Sequence, residues 1–331
     1  MSQPAQPATP PASASQQGGD KLEQLRQISV VVADTGDIEA IRKFKPQDCT
    51  TNPSLILKAA QLPGYASLVR ELIDAMPKGG DPDDLLDHLT VRIGTELSKI
   101  VPGNVSTEVD AYLSFDKDLA VAKARKLISL YEAQGVGKDR ILIKLAATWE
   151  GIQAAHELLQ DGIRCNLTLV FSQEQAIACA QAGVYLISPF VGRITDWYKK
   201  AQGVDGFAIA DDPGVQSVKG IYTHFKAHGY QTVVMGASFR SAAQVEALAG
   251  CDRLTVSPQL LEELADDEGE LARQLSPQSG SQEGHETEDT MTEAQFRWAL
   301  AANPMANEKL AEGIVNFHND TEKLRELLKS F

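Results

Sequence analysis

The stretch ILIKLAATWEGIQAAHELLQDGIRCNLTLV, residues 141–170, holds two apolar β-rich runs, ILIKLA and CNLTLV, on either side of a helical segment that closes on Gly162. A strand, a helix ended by glycine and a second strand form a crossover unit with parallel strands. The same alternation continues outward in both directions. Further strand candidates are 29–34 (SVVVAD), 48–52 (DCTTN), 105–110 (VSTEVD), 185–190 (YLISPF), 232–238 (TVVMGAS) and 253–257 (RLTVS), eight in all with the first two. Asn52-Pro53, Asp81-Pro82 and Ser257-Pro258 each put a capping residue before a proline at a helix start. Ser172…Gln175, Ser241…Gln244 and Thr292…Gln295 have capping-box spacing, and Gly135, Gly183, Gly229 and Gly250 fit helix ends. Eight such units favour an α/β protein of the (β/α)8 TIM-barrel type over a doubly wound sheet. No GxGxxG follows the first strand, which weakens the dinucleotide-binding alternative.

Two departures from a plain repeat are expected. Residues 63–101 carry two helical stretches where one crossover needs one, and 293–331 continue as helix beyond the eighth strand. There Leu310, Ile314, Phe317, Leu324 and Leu328 form an apolar stripe at helical spacing. The stripe either packs on the barrel or borders its mouth. Residues 1–20 are a Pro/Ala/Ser/Gln-rich tail, too poor in apolar side chains to offset the entropy of ordering. Residues 21–331 are then one barrel domain, with a short helix and an acidic surface loop near 266–290.

The chain has 331 residues and a net charge of −14, and that balance opposes nucleic-acid binding. It leaves room for small phosphorylated ligands, because a few placed arginines make a local positive site. No run approaches the length of a membrane span, and the tail has neither a secretory core nor arginine, so a cytoplasmic protein is expected. Cys49, Cys165, Cys179 and Cys251 are scattered without a CxxC pair and read as reduced core thiols. The histidines show no metal-binding spacing.

Strand side chains alternate between the barrel interior and the helix layer. In VSTEVD this puts Ser106, Glu108 and Asp110 inside and Val105, Thr107 and Val109 outside. In ILIKLA, Leu142, Lys144 and Ala146 point in; in CNLTLV, Asn166 and Thr168 point in, with Leu167 and Leu169 out. The same split turns Asp34, Asn52 and Ser188 inward. So many polar groups are costly in a packed core, and their convergence is what a site at the C-terminal mouth of a barrel requires. Lys144, among aliphatic neighbours, loses hydration, which favours the uncharged amine that attacks a ketone to form a Schiff base. The competing reading is a structural ion pair with Glu108 or Asp34. Those two carboxylates, on different strands, suit divided acid–base tasks. Asn52 serves equally well as a helix cap or a ligand contact; Asn166, in mid-strand, has no such local reason. Arg193 and Arg240 lie just beyond Ser188 and Ser238, an arrangement suited to phosphate. Trp149, Trp197 and Trp298 read as packing residues.

At these residues the chain resembles the transaldolase family, in its long bacterial type. The matching stretches are VVADTGD (31–37), TTNPSLIL (50–57), STEVDAYLSFD (106–116), ILIKLAATWEGI (141–152), CNLTLVFS (165–172), LISPFVGRITDWY (186–198), DPGV (212–215), VVMGASFR (233–240) and AGCDRLTVSP (249–258). The resemblance runs from about Lys21 to the C-terminus and is weakest around 76–90 and 266–290. It implies a barrel circularly permuted relative to other class I aldolases, with the Schiff-base lysine on the fourth strand and the phosphate arginines after the sixth and seventh. It implies a class I aldol mechanism with no metal and no cofactor. Lys144 would form the Schiff base with fructose 6-phosphate or sedoheptulose 7-phosphate. Asp34 would handle the C4 hydroxyl proton, and Glu108 would act through a water near Thr168. Asn52 and Asn166 would hold hydroxyls of the dihydroxyacetone unit, with Thr50 also in contact with substrate. Ser188 and Phe190 would shape the site, and Arg193, Ser238 and Arg240 would bind phosphate. Erythrose 4-phosphate or glyceraldehyde 3-phosphate would accept the unit, in the non-oxidative pentose phosphate pathway, on a homodimer. Two rivals remain open at this point: an aldolase that releases free dihydroxyacetone, and a non-catalytic sugar-phosphate-binding barrel.

Overall fold

The computed structural model describes residues 19–75, 81–280 and 289–329. All but the last two residues of the tail expected to be disordered lie outside that range, as do 281–288 of the acidic loop. The first half runs α1 Lys21–Ile28, β1 Val30–Asp34, α2 Ile38–Phe44, β2 Asp48–Thr50, α3 Pro53–Ala60, α4 Ala66–Ala75, α5 Pro82–Ser98, β3 Val105–Glu108, α6 Lys117–Ala133, β4 Ile141–Ala146 and α7 Trp149–Gln160. The second half runs β5 Cys165–Val170, α8 Gln173–Gln181, β6 Leu186–Pro189, α9 Gly192–Gln202, α10 Pro213–Ala227, β7 Val233–Gly236, α11 Ala242–Glu246, β8 Arg253–Val256, α12 Pro258–Ala265, α13 Glu293–Ala302 and α14 Pro304–Lys329. The strands pair in parallel in sequence order, and β8 returns to β1 to close the barrel. The architecture is a (β/α)8 barrel with additional helices, α4 and α5 before β3 and α13 and α14 after β8. No helix among the described residues is long and apolar enough to cross a membrane.

Local chemistry explains the joints. Asn52 caps α3 by accepting from Leu55 N at 2.9 Å, and Asp81 caps α5 by accepting from Asp83 N at 2.9 Å. Ser257 occupies the cap position of α12, but its side chain makes no capping bond. The capping boxes at Ser172–Gln175 and Thr292–Gln295 are complete. At Ser241–Gln244 only the serine half forms, because the Gln244 side chain is engaged elsewhere. Gly162, at φ 70°, takes the left-handed turn that carries α7 into β5, and the four other glycines expected at helix ends also have positive φ.

Among the described residues the buried apolar side chains form three clusters. The large one lies between barrel and helices and takes the outward residues Val105, Ile141, Ile143, Leu145 and Leu167. A second, Val32, Leu142, Leu186, Val233 and Met235, fills the barrel interior. The third joins Leu169, Phe171 and Phe190 to Met305, Leu310, Ile314 and Phe317 of α14. The C-terminal stripe is therefore split: Leu310, Ile314 and Phe317 border the mouth, while Leu324 and Leu328 join the core behind it. All four cysteines are free and buried.

Four expectations need correction. Leu169 does not face the helix layer with Leu167; it has φ 57°, the β5–β6 register slips between Leu167 and Val170, and its side chain turns to meet α14. Asp110 does not point into the barrel, because β3 stops at Glu108; Asp110 caps the short turn Ala111–Phe115 and pairs with Arg325 at 2.7 Å. Trp298 is 76% exposed, not packed, whereas Trp149 packs at a tilt against Phe296 and Trp197 packs edge-on against Tyr198. The described start of the acidic loop is more than a solvated surface. Leu271 and Leu275 are buried, Asp267 pairs with Lys21 at 2.8 Å, and the Gln274 and Leu275 amides both donate to Ala249 O.

Candidate active site

Strand register brings the polar residues to one level. Glu108 on β3 lies opposite Lys144 on β4, and Lys144 lies opposite Asn166 on β5. Across the barrel, Asp34 on β1 lies opposite Thr50 on β2, and Thr50 opposite Ser106 on β3. Thr50 Oγ1 is 3.0 Å from Asp34 Oδ1 and 2.8 Å from Thr255 Oγ1. Alternation along short parallel strands is what points these groups to the same interior space.

Lys144 and Glu108 form a buried pair, Nζ 3.2 Å from Oε2, with side-chain exposures of 6% and 3%. The amine also donates to Thr51 O at 3.3 Å and stands 5.9 Å from the centre of the Phe317 ring. The structural ion pair considered for Lys144 is thus present, with Glu108 and not Asp34 as partner. Glu108 Oε2 and Thr168 Oγ1 are both buried without a well-directed hydrogen bond among the described residues. Burial raises the pKa of Glu108 above the ordinary carboxylate range, with Lys144 opposing the shift. Burial does the same to Asp34, again against the pull of Lys144. Two carboxylates raised by burial around one lysine suit proton transfer in both directions.

A cavity of about 440 Å³ opens above this layer, at the C-terminal ends of the strands. Of the residues expected at the site, Asp34, Thr50, Asn52, Lys144, Thr168, Ser188, Phe190, Arg193, Ser238 and Arg240 line it. Two do not. Asn166 is fully buried, donating to Ser106 Oγ at 3.2 Å and accepting from Ser188 Oγ at 2.6 Å. Glu108 faces a separate small cavity of about 40 Å³ that it shares with Asp87, Asp110 and Arg325. Asn52 lines both cavities and also caps α3, so its two roles are compatible. Lys58, Thr255 and Phe317 line the main cavity and were not singled out as site residues from sequence. Thr255 carried a signal, a polar side chain at an inward position of RLTVS. Phe317 was visible only as part of a stripe.

Two arginines also line the cavity. The Arg193 guanidinium lies 4.9 Å from the Phe190 ring centre and 5.4 Å from that of Phe317, and burial and then Arg240 lower its pKa. Arg240 donates from Nε and Nη2 to Asp196 Oδ2 at 3.0 and 2.9 Å, with Nη1 3.4 Å from Ser238 Oγ. A net-negative molecule thus places two guanidinium groups in the same cavity that the lysine lines.

Fold and cavity together describe a (β/α)8 barrel with a candidate active site at its C-terminal mouth. Residues 31–328 match the family model described as Transaldolase/Fructose-6-phosphate aldolase. The chain is 58% identical over 316 residues to a transaldolase of Marinomonas sp. (strain MWYL1), covering 94% of this chain and 99% of that one. It is also 58% identical over 313 residues to a transaldolase of Shewanella woodyi, with 93% and 97% covered, and similarly related to one from Shewanella sediminis. The chain belongs to this family, among its transaldolases.

Proposed function

We propose that the enzyme transfers a dihydroxyacetone unit from fructose 6-phosphate or sedoheptulose 7-phosphate to erythrose 4-phosphate or glyceraldehyde 3-phosphate through a Schiff base on Lys144. The observation that carries this reading is Lys144 itself, buried beside Glu108 and lining a cavity that Arg193 and Arg240 also line. Proton transfer from Lys144 to Glu108 frees the amine, which adds to the C2 ketone, and loss of water gives the iminium. Asp34 takes the C4 hydroxyl proton, the C3–C4 bond breaks, and its electron pair passes into the enamine while an aldose phosphate leaves. The enamine then attacks the acceptor aldehyde, Asp34 returns the proton, and water hydrolyses the imine.

Glu108 assists both dehydration and hydrolysis through a water near Thr168, a role supported by the buried Thr168 Oγ1, which has no hydrogen-bond partner among the described residues, and by Glu108 Oε2, which faces Lys144 Nζ at 3.2 Å. Thr50 and Asn52 contact the substrate directly, and Asn166 acts through Ser188, whose hydroxyl it fixes. Phe190 shapes the wall, and Arg193, Ser238 and Arg240 take the phosphate. The reading places the enzyme in the cytoplasm, as a homodimer, in the non-oxidative pentose phosphate pathway, without metal or cofactor.

Borohydride reduction in the presence of fructose 6-phosphate tests it. A three-carbon adduct on Lys144, absent from Lys144→Ala, is expected. An adduct that survives the substitution overturns the assignment, and absence of any adduct favours a binding protein. Donor alone is expected to turn over slowly until erythrose 4-phosphate is added; rapid turnover without acceptor indicates release of free dihydroxyacetone.

A further inference from the structure

The DPGV run, residues 212–215, does not line the cavity, yet its aspartate is only 4% exposed. Asp212 Oδ1 accepts from Gly214 N at 2.8 Å and Val215 N at 3.1 Å, which is an ordinary helix cap for α10. Capping does not account for its other two donors. Thr195 Oγ1, on α9, donates to Oδ1 at 2.7 Å, and Gln244 Nε2, on α11, donates to Oδ2 at 2.8 Å. Gln244 also lies 3.2 Å from Thr195 Oγ1, and its own oxygen accepts from the Arg240 main-chain N at 2.8 Å. By sequence, Gln244 was expected to close a capping box with Ser241; the structure diverts it to Arg240 and Asp212 instead.

One carboxylate therefore ties together the helix that carries Arg193, two residues before Thr195, and the loop that carries Arg240. The two loops are also bonded directly, Val191 N to Ala237 O at 2.8 Å and Gly192 N to Ser238 O at 2.7 Å. They lie so close that a Cβ on Gly192 would sit 2.4 Å from Ser238 O, and one on Gly214 2.1 Å from Val191 O. A network with every member satisfied inside protein holds geometry rigidly.

We propose that Asp212 and Gln244 are positioning residues that set the spacing and orientation of Arg193 and Arg240 as a clamp for a phosphate monoester. The proposal rests on the phosphate role given to these arginines above. The clamp recognises a dianion without rearrangement because the main chain that carries its two arginines is fixed from behind, by bonds that never touch the ligand.

The test uses the full-length protein with inorganic phosphate as probe, read as competitive inhibition, and borohydride capture of unphosphorylated dihydroxyacetone on Lys144 as a measure of chemistry alone. Gln244→Met keeps the volume and removes all three side-chain bonds; Asp212→Asn keeps the cap and turns an amide toward the Gln244 amide. Each is expected to weaken phosphate and raise KM for fructose 6-phosphate about tenfold, while dihydroxyacetone capture is unchanged. The double variant Asp212→Asn/Gln244→Glu, which reverses donor and acceptor, is expected to recover part of the phosphate affinity. Unchanged phosphate inhibition in Gln244→Met overturns the proposal, as does an equal loss of phosphate binding and dihydroxyacetone capture, which marks general disruption. Unchanged phosphate inhibition in Arg193→Ala and Arg240→Ala instead overturns the phosphate reading on which it rests.

Discussion

Asp34 faces Lys144 across the barrel but forms no ion pair with it, and its only hydrogen-bond donor among the described residues is Thr50. Burial raises its pKa, so the folded state holds this proton to higher pH than the unfolded chain does. Stability linked to that proton is fully present below the unfolded carboxylate value and is lost as pH rises through the folded one. Asp34→Asn removes a penalty that operates only on the ionised group. Its melting temperature is expected to exceed wild type by about 1–4 °C near neutral pH, with the gain vanishing toward pH ~4. Activity is expected to fall by about 10²–10⁴. Melts across that range check it, and a gain that does not depend on pH rules out burial as the cause. The raised values of Asp34 and Glu108 also put the acid limb of the kcat/KM profile above the ordinary carboxylate range. A limb that falls at about pH 4 is incompatible with either of them acting as the base.

At the scale of elements, α14 meets the chemistry although it lies beyond the last barrel strand. Phe317 covers both Lys144 and Arg193, and its height is set where Gly313 rests on Leu169. A Cβ at Gly313 would lie 2.6 Å from Leu169 Cδ2, and Leu169 is fully buried in a positive-φ conformation with little room to yield. Gly313→Val is expected to lift the helix, costing about 1–3 kcal/mol in urea unfolding and lowering kcat/KM about tenfold or more. Leu169→Ala in the same chain is expected to recover much of the activity; no recovery means that the helix is not levelled by this contact. The same contact lies beyond what sequence pattern can reach. Strand count, order, helix caps and the stripe on α14 follow from period and turn chemistry, which act within a few residues. What each face meets is decided by chain far away in sequence. Leu169 was misassigned because strict alternation assumes extended backbone through Val170, and Asp110 because β3 ends two residues before it. The lining side chains of Asp34, Asn52, Lys144, Thr168 and Ser188 were legible, since a polar group inside an aliphatic strand is too costly to bury unless it serves a site. The support behind Arg240 was not, because Ser241 and Gln244 satisfy a local helix-start pattern equally well.

Across the whole molecule, closure of the barrel brings together strands from opposite ends of the chain. β1 sits between β2 and β8, and beneath it Asp48, the first residue of β2, pairs with Arg253, the first residue of β8. The two residues are 205 positions apart. Their side chains are 7% and 12% exposed, Asp48 also accepts from Asn104 N at 2.8 Å, and Arg253 donates to Tyr185 Oη at 3.1 Å. Removing one member leaves the other charge buried and unpaired, so Asp48→Ala is expected to destabilise by about 3–5 kcal/mol. Replacing both, as Asp48→Leu with Arg253→Met, is expected to recover most of that loss, because an apolar pair of similar volume avoids desolvation altogether. The pair lies at the N-terminal end of the strands, away from Lys144, so kcat of the folded fraction is expected to stay within about twofold of wild type in both variants. Urea unfolding followed together with residual activity separates the two effects. A single variant as stable as wild type would show that closure rests on the apolar interior cluster alone, and a lowered kcat at full occupancy of the folded state would show that strain at the seam reaches the mouth.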